Sequence, residues 1–112
     1  MEEIHKRLVI YRTGNDKRPF IEWIGSLKDY KARGIIKNRF DRLENGVYGD
    51  CEPAGEGVKE LRIHFGPGYR IYFGEDEATI VVILCGGPKS SQRKDIAAAK
   101  SYWADYKERK KQ

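Results

Sequence analysis

The sequence predicts an α+β domain of order β-α-α-β-β-β-α, with helices packed on a small, mainly antiparallel sheet. Three observations carry this. Apolar residues recur at helical spacing in three separate stretches, two arms of alternating side chains flank Gly66-Pro67-Gly68, and Ile80-Val81-Val82-Ile83-Leu84 is apolar without alternation.

Arg7-Leu8-Val9-Ile10-Tyr11 reads as a first strand, ended by the turn residues Gly14-Asn15-Asp16. Asn15 or Asp16 is placed to cap a helix that tolerates Pro19 in its first turn, with Phe20, Trp23, Ile24 and Leu27 as its apolar stripe. Asp29 can cap a second helix, where Ala32, Ile35, Ile36, Phe40 and Leu43 keep the period until Asn45-Gly46 stops it. The two form a helical hairpin with Lys28, Lys31, Arg33, Lys37, Arg39 and Arg42 toward solvent. Residues 47–57 hold three glycines and a proline without a period, and read as an ordered loop. The hairpin arms follow, Leu61 to Phe65 and Tyr69 to Phe73. Ile80–Leu84 fits a strand covered on both faces, most simply in the middle of the sheet. Gly86-Gly87-Pro88 is expected to break that strand, and Ser90 or Ser91 to cap a last helix with Ile96, Ala99, Trp103 and Tyr106 as its stripe. Glu108 to Gln112 reads as a frayed basic tail.

Length and composition bound the rest. A chain of 112 residues fits one domain, 1–112, that folds without disulfides or metals, burying roughly 65% of its unfolded surface. Hydrophobic content of 39%, charged content of 35% and a mean hydropathy of −0.73 argue against a membrane span. The N-terminal Met1-Glu2-Glu3-Ile4-His5-Lys6 lacks the apolar run of a secretory signal, so the expected location is cytoplasmic. Cys51 and Cys85 have neither CxxC spacing nor a nearby histidine pair, which leaves free thiols and no metal or other cofactor. The net charge of +5 is unevenly spread: both ends are basic, and residues 47–88 carry three Lys/Arg against seven Asp/Glu. Such a chain suits a nucleic acid or an acidic protein as partner.

Alternation along the hairpin puts Leu61, Ile63, Phe65, Tyr69, Ile71 and Phe73 on or near one face, and Arg62, His64, Arg70 and Tyr72 on the other. Two guanidiniums on neighbouring strands repel one another unless something anionic lies between them. Phosphate fits that requirement, because arginine binds it bidentately. Lys89, between the last strand and the last helix, can join the pair beside the helix's N-terminal amides. Arg62, Arg70 and Lys89 are therefore the candidate catalytic cations for RNA cleavage by its own 2'-hydroxyl, a reaction whose transition state gains charge on the phosphate. The plainer reading of a strand arginine is a solvated one. His64 has the pKa range for proton transfer, and Tyr72 could stack a base, although a histidine beside a turn and a strand aromatic are by default structural. Gln92, Arg93 and Asp95 at the helix start are candidate RNA contacts, with capping and surface charge as the alternative.

ELRIHFGPGYRIYF, followed by IVVILCGGPKSSQRKDIAAAKSYW and preceded by FDRLENGVYGDCEPAGEGVKELR, resembles the phage-derived addiction-module killer proteins, HigB-like members of the RelE/ParE toxin superfamily. The likeness covers nearly the whole chain and is strongest from Phe40 to Trp103. It implies the compact RelE-like fold and a cognate antitoxin from the adjacent gene, often a helix-turn-helix protein. It implies also a metal-independent endoribonuclease that cleaves mRNA on the ribosome. By motif, the arginine of GYR is Arg70, the basic residue after the last core strand is Lys89, and Arg62 matches the preceding basic strand position. A tyrosine that RelE uses for catalysis has no counterpart, since Ile96 stands near its place. The ParE branch implies instead a gyrase inhibitor, and the missing tyrosine leaves a non-toxic basic RNA-binding domain as a third reading.

Overall fold

The structure is a computed structural model describing residues 5–112; residues 1–4, on which most of the N-terminal signal reading rests, lie outside the described residues. It has the predicted α+β class, with one strand more than expected. In chain order the elements are β1 (Arg7–Ile10), α1 (Pro19–Ser26), α2 (Tyr30–Glu44), β2 (Cys51–Gly55), β3 (Val58–Ile63), β4 (Tyr69–Asp76), β5 (Ile80–Pro88), a 3-10 turn (Lys89–Ser91) and α3 (Gln92–Lys110). The strands form one sheet in the order β1-β5-β4-β3-β2. β2 to β5 are an antiparallel meander, and β1 runs parallel to β5.

The sheet is covered on both faces. Against one lie α1 and α2, and the shared core holds Phe20, Ala32, Ile36, Leu43, Leu61, Ile63, Ile71, Phe73, Val81 and Ile83. Against the other lies α3, over Tyr11, Val58, Tyr72, Val82, Leu84, Cys85, Ala99 and Trp103. The alternation of Val81 and Ile83 with Val82 and Leu84 across these cores is why Ile80–Leu84 carries no polar position. β5 lies between β1 and β4, and β4 is the central strand.

Several local expectations need correction. Residues 51–55 are not loop: Glu52, Pro53 and Gly55 make an edge strand against β3, where a missing amide and a bulge are tolerated. β5 is not broken at Gly86-Gly87 but pairs with β4 through both, Gly86 opposite Ile71 and Gly87 opposite Arg70. Neither Asn15 nor Asp16 caps α1, whose N-cap is Arg18 without a side-chain bond. Asp29 does cap α2, its Oδ1 accepting from the Ala32 amide at 3.1 Å. Ser91 occupies the N-cap position of α3, but its hydroxyl is spent on Pro88 O and Asp95 Oδ2. Two hairpin cations turn back onto the protein and are half-buried. Arg33 donates to the carbonyls of Leu27 at the C-cap of α1 (2.7 Å) and Gly25 within it (3.0 Å), while Arg39 reaches the carbonyls of Arg62, Tyr48 and Asp50.

The basic tail is helix as far as Lys110, because two aspartates fasten it. Lys110 Nζ (2.5 Å) and the Tyr106 hydroxyl (2.7 Å) meet Asp76, and the Tyr11 hydroxyl (2.6 Å) and Arg109 (2.7 Å) meet Asp105. Lys110 and then Tyr106 hold Asp76 below the usual carboxylate range; Tyr11 and then Arg109 do the same for Asp105. Carboxylates with depressed native pKa values stabilise fully above their unfolded value of about 3.9, and that stability is lost as pH falls through the native values. Thermal melts should therefore drop on acidification below about pH 4. A D76N/D105N variant should melt lower at neutral pH and lose less on acidification. Parallel pH profiles for the two proteins would contradict this.

Candidate functional site: a carboxylate-centred cation cluster

The β3–β4 hairpin turns at Phe65–Gly68, closed by the Gly68 amide on Phe65 O at 2.9 Å. Its register sets Arg62 directly opposite Arg70 and Glu60 opposite Tyr72. The two arginines share a face, as alternation predicts. That face is not open, however: α3 covers much of it, leaving Tyr72 fully buried and Arg70 only 6% exposed.

The anion between the guanidiniums is internal. Glu60, 3% exposed, takes Arg62 Nε on Oε2 at 3.2 Å, and its Oε1 lies 3.4 Å from Arg70 Nε. Oε1 also accepts from Gln92 Nε2 at 2.6 Å and from the Tyr72 hydroxyl at 3.4 Å. A single carboxylate thus ties β3, β4 and the start of α3 together. The Arg70 contact is an ion pair without an aligned hydrogen bond, so its Nε is a buried donor left unsatisfied, while Nη1 donates to Tyr69 O at 3.3 Å. Burial, and then the Glu60 charge, push the Tyr72 phenol far up, which keeps it protonated as a donor.

The candidates divide accordingly. Arg62 keeps a third of its side chain exposed, and with Nε on Glu60 its Nη1 and Nη2 have no protein partner among the described residues. Its backbone is fixed from the other face, where Arg39 Nη1 binds its carbonyl at 2.5 Å. Arg70 is a buried counter-cation. Lys89 is exposed and makes no ion pair among the described residues; its amide donates to Gly68 O at 2.9 Å and its stem lies along Gly68. It opens the 3-10 turn that follows β5, two residues past Gly87, which lies opposite Arg70. Two guanidiniums and one carboxylate leave a single positive charge in the cluster.

Tyr72 does not serve as a base-stacking platform, because α3 lies over it, and Gln92 spends its amide on Glu60. Arg93 is exposed in the first turn of α3, whereas Asp95 turns inward to Ser91 and the Gly87 backbone. His64 is exposed at the hairpin and bonds Asp50, whose carboxyl it holds below the usual range, with Arg62 and Arg39 adding to the effect. Glu60 is the residue the sequence reading passed over. The signal was present, since Glu60 shares its parity on β3 with Arg62. Two surface clefts, of about 340 and 380 Å³, lie along the C-terminal half of α3 by Tyr11 and Arg109 and by Trp103 and Lys107. Arg62, Arg70 and Lys89 line neither cleft. Among the described residues no group of three or more His, Cys, Asp or Glu is arranged to hold a metal, and no helix is long and apolar enough to cross a membrane.

Fold and cluster together define a compact α+β domain in which one buried carboxylate, Glu60, holds a partly exposed arginine, Arg62, and a buried one, Arg70. The chain is 43% identical over 81 residues to an uncharacterized protein of Haemophilus influenzae strain Rd, a match covering 72% of this chain and 82% of that protein. It belongs to one family with that protein. No protein-family model matches the chain.

Proposed function

We propose that the protein is the toxin of a type II toxin-antitoxin pair and acts as a metal-independent endoribonuclease on mRNA at the ribosome, in the cytoplasm. The observation that carries this reading is the free Nη fork of Arg62, backed by Glu60, on the same hairpin whose Gly68 lies along the stem of the unpaired Lys89. A phosphodiester attacked by the neighbouring 2'-hydroxyl gains a second negative charge. Fixed cations stabilise it in proportion to their preorganisation. In this reading Arg62 binds the scissile phosphate bidentately, Lys89 neutralises a non-bridging oxygen, and Arg70 acts from behind through Glu60. Arg93 meets a neighbouring phosphate. His64, exposed and oriented by Asp50, takes and returns the proton. The resemblance to the RelE/ParE superfamily points the same way and supplies the antitoxin, a helix-turn-helix protein that charge complementarity would seat over the cationic face.

A second reading, a ParE-like gyrase inhibitor, is favoured by the burial of Arg70 and Tyr72, which removes two side chains from contact with RNA. Induced expression followed by mapping of mRNA 5' ends separates the two. New ends within translated regions are expected. Intact transcripts alongside growth arrest would overturn the ribonuclease, and loss of supercoiling by purified gyrase would then support the inhibitor.

A further inference from the structure

We propose that Glu60 is the positioning residue of the phosphate site: its buried carboxylate takes Arg62 by Nε so that Nη1 and Nη2 are presented outward as a fixed, two-pronged donor for an RNA phosphate. This rests on the reading of Arg62 as a phosphate contact and adds the residue that aims it. An arginine on an exposed strand ordinarily samples many rotamers, and ordering it on binding costs affinity. Here one of its five donors is already engaged from below, at 3.2 Å, by a carboxylate that is 97% buried and cannot itself meet a polymer. Glu60 is in turn held by Gln92 from α3 and by Tyr72 and Arg70 from β4, so it cannot follow Arg62 outward. Because Nε and one Nη edge of a guanidinium face different directions from the Nη1/Nη2 end, holding the first orients the second.

The proposal makes a prediction of opposite sign to charge counting. Glu60→Gln raises the net charge of a cationic surface, which on electrostatics alone should tighten RNA binding. Positioning predicts the reverse. A neutral amide loses the charge-assisted bond to Nε and releases the fork, so affinity for a short labelled single-stranded RNA should fall about tenfold. In an Arg62→Ala background, Glu60→Gln should change the affinity no further, because there is no fork left to aim. A merely structural role would lower the melting temperature and the affinity in both backgrounds alike.

A wild type that does not bind the RNA, or an Arg62→Ala variant that binds as tightly as wild type, overturns the phosphate-site reading and the Glu60 assignment with it. Weakened Arg62→Ala beside a Glu60→Gln variant that binds as well as wild type, or better, overturns the Glu60 assignment alone. Should Glu60→Gln fail to fold, NMR on the wild type decides: the Arg62 Nε proton should exchange slowly and stay in place on RNA addition while the Nη protons shift. A fast-exchanging Nε proton, or one that shifts as far as the Nη protons, overturns the assignment.

Discussion

Trp103→Ala should remove about 3–5 kcal/mol of stability, a large share of the roughly 5–15 kcal/mol a small domain possesses. The indole is 5% exposed and packs directly against backbone at two glycines. A Cβ built on Gly74 would stand 2.5 Å from Cδ2 and Cε3, and one on Gly57 would stand 2.7 Å from Nε1. Gly74 of β4 and Gly57 in the β2–β3 turn therefore make the slot, and Tyr106 closes it by stacking at 5.3 Å and 8°. Neither glycine can reach into the space an alanine would leave, so the cavity stays open and its full cost is felt. The other fastenings at this end of α3, to Asp76 and Asp105, are exposed ion pairs and phenol bonds of modest worth. Urea unfolding would measure the loss, and a change below about 1 kcal/mol would show that α3 is held by something else.

Arg62→Ala should cost about 100-fold in RNA cleavage while leaving the fold nearly as stable, on the function proposed above. The separation follows from the geometry of Glu60. Losing Arg62 removes one partner, but Gln92, Tyr72 and Arg70 remain, so the buried carboxylate is not orphaned. Arg62→Lys should rescue little, since an ammonium has no second end to offer once it faces Glu60. Cleavage rates and growth arrest on induction, read beside melting temperatures, test this. An Arg62→Ala variant that still arrests growth at full strength ends the assignment.

The helices were legible because burial leaves a 3.6-residue stripe: Phe20, Trp23, Ile24 and Leu27, or Ile96, Ala99, Trp103 and Tyr106, face one core each. The Arg62–Arg70 pairing was legible as well, because a short turn with two glycines fixes register. β2 was not, since an edge strand need bury little, and Cys51-Glu52-Pro53-Ala54-Gly55 shows no alternation to read. What the hairpin's polar face meets was also hidden. Alternation tells which residues share a side, but a helix lying over that side is a tertiary fact. The repulsion between the guanidiniums was rightly noticed, but its relief was sought outside the molecule when it lay two residues away, in Glu60.

At Gly86 the Trp23 ring of α1 rests where a Cβ would sit, 2.6 Å away, and at Gly87 Asp95 of α3 does the same from the opposite side, at 2.1 Å. The three layers are pinched there into a waist that only bare main chain can occupy. Drift in this stretch is thereby barred at two consecutive positions for unrelated reasons, one belonging to each flank, and a methyl group at either would pry apart a different seam of the molecule.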